Sequence, residues 1–256
     1  MHKITQFFYR FSLYFTAVIT GILLVMSMVC MYGYKEYLSG GNYALGNVVV
    51  ILLAIALGVL LVTLYRKMQG TGQKATVVLF LAIILLQIGF LVFVSHPMSI
   101  SDPARVQNEA LQHGQMNTKD EYFQRYSNNH FMLVFFYYYY KLLFRIGITH
   151  VVIPNIVLNI FCVDIGIYIT YRTAKRLRGI GFANWVLLLF LLCPTIYVWL
   201  TTVYTNTISF PFVMAVLYLA LWLRHENLTV KNIIKCILLG VMMAVGYWIR
   251  PTTILP

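Results

Sequence analysis

Charge is what this sequence has least of. Asp, Glu, Lys and Arg together make 10% of its 256 residues, against about 25% in an average soluble domain. Acids are the scarcer sign: seven Asp and Glu stand against 19 Lys and Arg. Apolar residues make 61% of the chain and lie in long blocks. That excludes a disordered chain and an ordinary soluble enzyme. There are only four cysteines. Cys30, Cys162, Cys193 and Cys236 each sit inside an apolar block, with no CxxC spacing and no neighbouring His. They exclude a disulfide framework and a zinc site and read as small buried hydrophobes. Phosphate-cradling glycine loops, HExxH and DxD are absent too, so neither a nucleotide nor a metal is written into the chain. No cofactor is expected, and nothing in the sequence supports a divalent cation at Asp120-Glu121. The net charge of +12 does not imply nucleic acid, because no basic stripe alternates with exposed aromatics.

What is present is a series of membrane-length blocks. A spanning helix needs about 20 mainly apolar residues. Seven blocks answer to this: 11–32, 45–65, 75–95, 150–171, 181–201, 207–223 and 233–249. The first exceeds the usual signal-peptide core of about 7–15 residues and lacks a small-residue cleavage site, so it reads as a retained span. An eighth block, 131–146, is 16 residues long, carries Tyr137–Tyr140, and holds Lys141 and Arg145. Charge decides its place. With the N-terminus inside and 131–146 lying along the surface, short inner loops collect 12 of the 19 basic residues, including Arg172, Lys175, Arg176 and Arg178. If 131–146 crossed, that bias would reverse, so the positive-inside rule favours an interfacial helix. The expected fold is an all-α polytopic membrane bundle, one domain over 1–256, with about seven spans. Residues 1–74 form two leading spans and the inner turn after them. An outer loop, 96–130, and an interfacial helix, 131–146, follow in 75–256. The protein is expected in the cell membrane among its lipids, N-terminus cytoplasmic.

This topology puts three polar features on one, extracytoplasmic side: the loop 96–130, the link Thr201–Asn206, and Arg250-Pro251-Thr252. The loop holds Asp102, Glu109, Asp120 and Glu121, four of the seven acids. Asp102-Pro103 suits a helix start, and Arg105 and Glu109 then share a face at i, i+4. On chemistry alone this is a capped surface helix with an ion pair. Its closeness to the membrane makes Asp102 a candidate general base as well.

Taken in order, these elements resemble the GT-C superfamily of integral-membrane glycosyltransferases. The nearest branch is that of protein mannosyltransferases and aminoarabinose transferases. SISDPARVQNEAL resembles the outer loop with its early acid, and YSNNHFMLVFFYYYYKLLFRIG the juxtamembrane helix. VVIPNIVLNIFCVDIGIYITYRTAKRLRG, PTIYVWLTTVYTNTISFPFVMAVLYLAL and GYWIRPTTI resemble later spans. The match covers about 75–256. It implies an inverting transfer from a polyprenyl-phosphate-linked sugar to a glycan, lipid or protein acceptor outside the cytoplasm. Asp102 matches the family's base. Arg250, with Arg105 as a weaker counterpart, matches its donor-phosphate ligand, and Glu109, Asn129, His130, Tyr204 and Asn206 join the substrate site. Relatives usually continue through more spans beyond the point matching RPTTIL, so the resemblance implies an N-terminal portion of a longer protein.

Each of these residues also has a plainer role. His130 can serve as a polar interfacial anchor, and Tyr204 and Asn206 as turn residues. Asp164, mid-span, is costly to insert, by about 3 kcal/mol, and is a functional candidate by default. A helix–helix hydrogen bond to Asn159 or another bundle partner is the structural alternative. Tyr137–Tyr140 read as interface packing. Asn227-Leu228-Thr229 is a glycosylation sequon that this topology places inside. Two other functional classes remain beside the transferase: a transporter or lipid flippase, and a non-catalytic membrane subunit. The first would show intramembrane charges and broken helices, for which only Asp164 and Pro194 qualify. The second would tolerate changes at Asp102 and Arg250.

Overall fold

A computed structural model of the chain describes residues 43–93, 101–112, 121–223 and 229–251. Among these residues the fold is helical, without strands. The chain divides after Leu64 into two units. In the first, Tyr43–Leu64 form most of helix α1 (Tyr43–Gln69). The second unit begins with the last turns of α1. It continues through α2 (Gln73–Phe93), α3 (Ser101–Leu111), α4 (Glu121–Arg125), a 3-10 turn (Ser127–Asn129), α5 (His130–Arg145) and α6 (Val152–Arg178). Then come α7 (Ile180–Leu192), α8 (Pro194–Val198), a second 3-10 turn (Trp199–Thr201), α9 (Thr205–Leu223) and α10 (Val230–Ile249).

Four of these helices are long and apolar enough to cross a membrane: α2, α6, α9, and α10 from Asn232. The block 181–201, expected as one span, is broken. Helix α7 ends at Leu192, and Pro194–Thr201 leaves it at 57°. The cause is local. Pro194 has no N–H to continue the ladder and forces Cys193 into an extended conformation (φ −90, ψ 99). Among the described residues four helices qualify as spans, or five with the bent pair counted as one, beside the seven expected over the whole chain. Block 45–65 falls within α1. Block 11–32, Cys30, Asp120 and the Asn227 and Leu228 of the sequon lie outside the described residues.

Helix α5 has 16 residues, about 24 Å at 1.5 Å per residue. That is short of a hydrocarbon core of about 30 Å. Its buried face runs Met132, Leu133, Phe136, Tyr140 and Leu143, the 3.6-residue spacing of a helix with one packed side. That face meets Val106 and Ala110 of α3 and Phe123 of α4 in a single apolar core. Within the tyrosine run, Tyr140 is 1% exposed and Tyr138 60%, as expected for consecutive residues distributed around a helix.

The bundle's two ends differ in chemistry. At one, Asn184 at the start of α7 donates to Thr71 Oγ1 (2.9 Å) and to the Gly72 carbonyl (3.1 Å), while Thr76 Oγ1 donates to Asn184 Oδ1 (2.7 Å). Asn184 is fully buried, so these bonds lock α7 to the turn before α2. Gly181 lets the chains close. A Cβ there would lie 2.7 Å from Gln69 Cα and 2.8 Å from the Met68 carbonyl, backbone atoms that cannot swing aside. Gly181→Ala should therefore destabilise the protein by about 1–3 kcal/mol through overpacking. Gly240→Ala, with open space around its Cβ, should be neutral or stabilising. Thermal unfolding of the detergent-solubilised protein distinguishes the two.

Mid-bundle, Asp164 of α6 accepts a hydrogen bond from Gln87 of α2 at 2.7 Å. The suggested partner Asn159 is engaged elsewhere. Its Nδ2 donates to the carbonyls of Trp199 and Leu200, both at 2.8 Å. Those carbonyls lie in a 3-10 turn, where the α-helical ladder leaves them open. Asn159 thus fastens the broken span to α6.

Candidate functional site

The other end of the bundle gathers the polar residues that lie far apart in sequence. Asp102, half-buried, stands in the first turn of α3. The Tyr122 hydroxyl of α4 lies beside its carboxylate, close enough for the two to interact. The same hydroxyl accepts from Asn129 Nδ2 at 2.7 Å. Asn129 Oδ1 in turn accepts from the Tyr204 hydroxyl at 2.9 Å and from Asn128 Nδ2 at 3.3 Å. Asn129 thus links Tyr204 to Tyr122, Tyr122 lies against the Asp102 carboxylate, and Tyr122 and Tyr204 also interact directly. Asn129 is 1% exposed, so neither end of its amide is exchanged for water.

The electrostatics follow the same line. Burial, then the neighbouring Tyr204 and the Asp102 carboxylate, hold the Tyr122 phenol above its ordinary range. Tyr122 is therefore a neutral donor at any working pH. Tyr204 is also raised, by burial first and by the Asp102 charge second, while Arg250 pulls it back. Tyr204 thus lies within the field of both the acid and the cation. Arg250, just past the end of α10, donates through its guanidinium to Asn206 Oδ1 near the start of α9. Asp102, Asn129, Tyr204, Asn206 and Arg250, all chosen from sequence, therefore meet in one region.

Beneath this cluster lies a floor that sequence reasoning missed. Gln107 Nε2 donates to the Val203 carbonyl at 3.0 Å. Asn155 Nδ2 donates to Tyr140 Oη at 2.9 Å and to Gln107 Oε1 at 3.4 Å. Gln107 and Asn155 are buried, and buried polar groups need such partners. These bonds join α3, α5, α6 and the link before α9, and so fix Tyr204 against Asn129. Tyr122 was missed as well. Nothing local marks it in the segment Glu121–Arg125; only its contacts give it a role.

The remaining proposed residues lie nearby. Arg105 is exposed and Glu109 half-buried further along α3. His130 places Nδ1 2.9 Å from the Ser127 carbonyl and its ring 5.8 Å from that of Phe123. Two cavities flank the Asn206–Arg250 contact. One, of about 290 Å³, is walled by Val163, Phe190, Ile196, Trp199 and Phe210, with Asn206 and Thr207 among its few polar groups. The other, of about 320 Å³, lies between Ser127, Asn128, Phe131, Tyr247, Trp248 and Pro251. The site can thus offer a positioned carboxylate, a guanidinium, neutral hydrogen-bonding groups between them, and apolar space at the side.

No protein of curated function and no solved structure matches this chain. A family model described as conserved hypothetical integral membrane protein matches residues 1–256, in keeping with the apolar helices, and the chain belongs to that integral membrane family.

Proposed function

We propose that this multi-pass membrane protein is a glycosyltransferase of the GT-C type. It moves a sugar from a polyprenyl-phosphate-linked donor to a glycan, lipid or protein acceptor on the extracytoplasmic face. The observation that carries this reading is the convergence of Asp102 and Arg250 on one cluster, joined through Tyr204. An acceptor hydroxyl attacks the anomeric carbon of the donor and gives its proton to the Asp102 carboxylate. The bond from that carbon to the phosphate oxygen breaks, and polyprenyl phosphate leaves with the electron pair. Arg250 stabilises the charge that develops on the phosphate; a guanidinium fork matches phosphate geometry. Asn206 holds that fork in place. The 290 Å³ cavity beside Asn206 suits the first isoprenoid units of the donor. Among the remaining candidates, Tyr204, His130, Arg105 and Glu109 are assigned to sugar and acceptor contacts, and Asn129, buried with its amide engaged, positions Tyr204.

Tyr122 orients the base. Its hydrogen bond to a carboxylate belongs to the stronger, charge-assisted class, about 1.5–3 kcal/mol. Tyr122→Phe should lower kcat about tenfold or more with little change in donor KM. Tyr204→Phe, two bonds further from Asp102, should cost less. Steady-state kinetics of the two variants check the order; equal losses would remove this ordering from the mechanism.

The reading is tested by following labelled sugar from polyprenyl-phosphate donors into the acceptor fraction of membranes that express the chain. Label that reaches acceptor with the wild type and not with Asp102→Asn supports the transferase. Movement of intact donor across the membrane at equal rates in both would favour a transporter or flippase. No movement or transfer by either would favour a non-catalytic subunit.

A further inference from the structure

The end of the bundle opposite Asp102 carries a second concentration of charge. Among the described residues, segments 172–178 and 229–235 together hold six basic residues (Arg172, Lys175, Arg176, Arg178, Lys231 and Lys235) and no acid. Part of this is expected at a helix terminus: Lys175, Arg176 and Arg178 occupy the last turn of α6, where the helix dipole favours cations. Lys235 has no such reason. It lies in the second turn of α10, at the helix end that disfavours a cation.

Both groups meet at one aromatic ring. The Arg176 guanidinium lies 4.9 Å from the centre of Trp222 in α9, and the Lys235 ammonium 4.1 Å. Two like charges from different helices are therefore no further apart than the sum of those distances. Lys235 is held there by Asn232 Oδ1 at 3.0 Å. One turn up α6, Arg172 donates to the Tyr168 hydroxyl at 2.9 Å and also engages Tyr218. The Tyr218 ring packs edge-on against Trp222 at 5.4 Å. Three helices thus present cations and hydroxyl-bearing aromatics at one level, at the ends of three candidate spans, where a bilayer places its headgroups.

We infer that Arg172, Arg176 and Lys235 around Trp222 form a binding site for the phosphate of an anionic phospholipid in the leaflet at that end. The charge excess supplies the attraction, the fixed spacing between helices selects a phosphate over a diffuse surface, and Trp222 and Tyr218 seat the glycerol and upper acyl region. Basic pockets between membrane helices recognise anionic headgroups by this chemistry. The lipid would also join α6 to α9 and α10, since its ligands come from more than one helix.

The test is native mass spectrometry of the full chain in detergent, titrated with phosphatidylglycerol, cardiolipin, phosphatidylcholine or inorganic phosphate. The wild type should retain the anionic lipids about tenfold or more over phosphatidylcholine. Arg176→Gln with Lys235→Gln should abolish that preference, and Arg176→Lys should keep most of it. Lys141→Gln with Arg145→Gln, on α5 at the other end, should leave it unchanged. If the double variant does not reach detergent folded, Lys235→Gln alone is scored for a partial loss. The inference is overturned if the preference survives in the Arg176 and Lys235 variants, or if the α5 variant loses as much. It is also overturned if inorganic phosphate competes as well as the lipid, which would make this a soluble-phosphate site.

Discussion

Asp102→Asn should reduce sugar transfer by about 10²–10⁴-fold, the usual contribution of a positioned general base. Asn is nearly the same size and can still accept from the Tyr122 hydroxyl, so the hydrogen-bonded series persists and the protein should fold. What is lost is the capacity to take a proton from the acceptor. Donor affinity should change little, because Arg250 and the apolar cavity are untouched. Steady-state kcat and donor KM for wild type and variant check this. Comparable kcat values would take Asp102 out of the chemistry and leave it as an acid in the first turn of α3.

Arg250→Gln should lower kcat/KM for the polyprenyl-phosphate donor by about 10²–10³-fold, the scale seen when one donor to a developing negative charge is removed. Gln is shorter and uncharged, so it neither reaches Asn206 in the same way nor balances the phosphate. Arg250→Lys should recover part of the loss, since the charge returns without the planar fork. Inhibition by free polyprenyl phosphate, the leaving product, should weaken in parallel. Inhibition as tight in Arg250→Gln as in the wild type would place the phosphate elsewhere.

Much of the framework was legible in the sequence because apolar length is a direct physical signal. The blocks at 75–95, 150–171, 207–223 and 233–249 correspond to α2, α6, α9 and α10. The break at Pro194 was visible only as a proline that could interrupt a helix. An apolar run reads as continuous by composition, and only the missing N–H of the proline, together with the extended Cys193, divides it. The start of α3 was anticipated to within a residue: the helix begins at Ser101 with Asp102 in its first turn.

The candidate site divides in the same way. Asp102, Asn129, Tyr204, Asn206 and Arg250 could be named because topology put their segments on one side, and sidedness is encoded in loop charge. Their mutual contacts could not be. Tyr122 looks like any aromatic in a short helix until Asn129 and Asp102 are placed on either side of its hydroxyl. Gln107 and Asn155 are ordinary polar residues by type, and burial alone gives them their role as the floor. Asp164 shows the limit from the other direction. Its need for a polar partner was evident from its depth, but Gln87 lies on a helix 77 residues away and shares no pattern with it.

The central claim is that the carboxylate of Asp102 drives cleavage of a polyprenyl-phosphate sugar. Release of free polyprenyl phosphate measures it most directly. Membranes containing equal amounts of wild type or Asp102→Asn would be offered a panel of polyprenyl-phosphate sugars. The account predicts release from at least one donor by the wild type, reduced by at least about a hundredfold in the variant. Equal release from every donor by both proteins, or none from either, would contradict it.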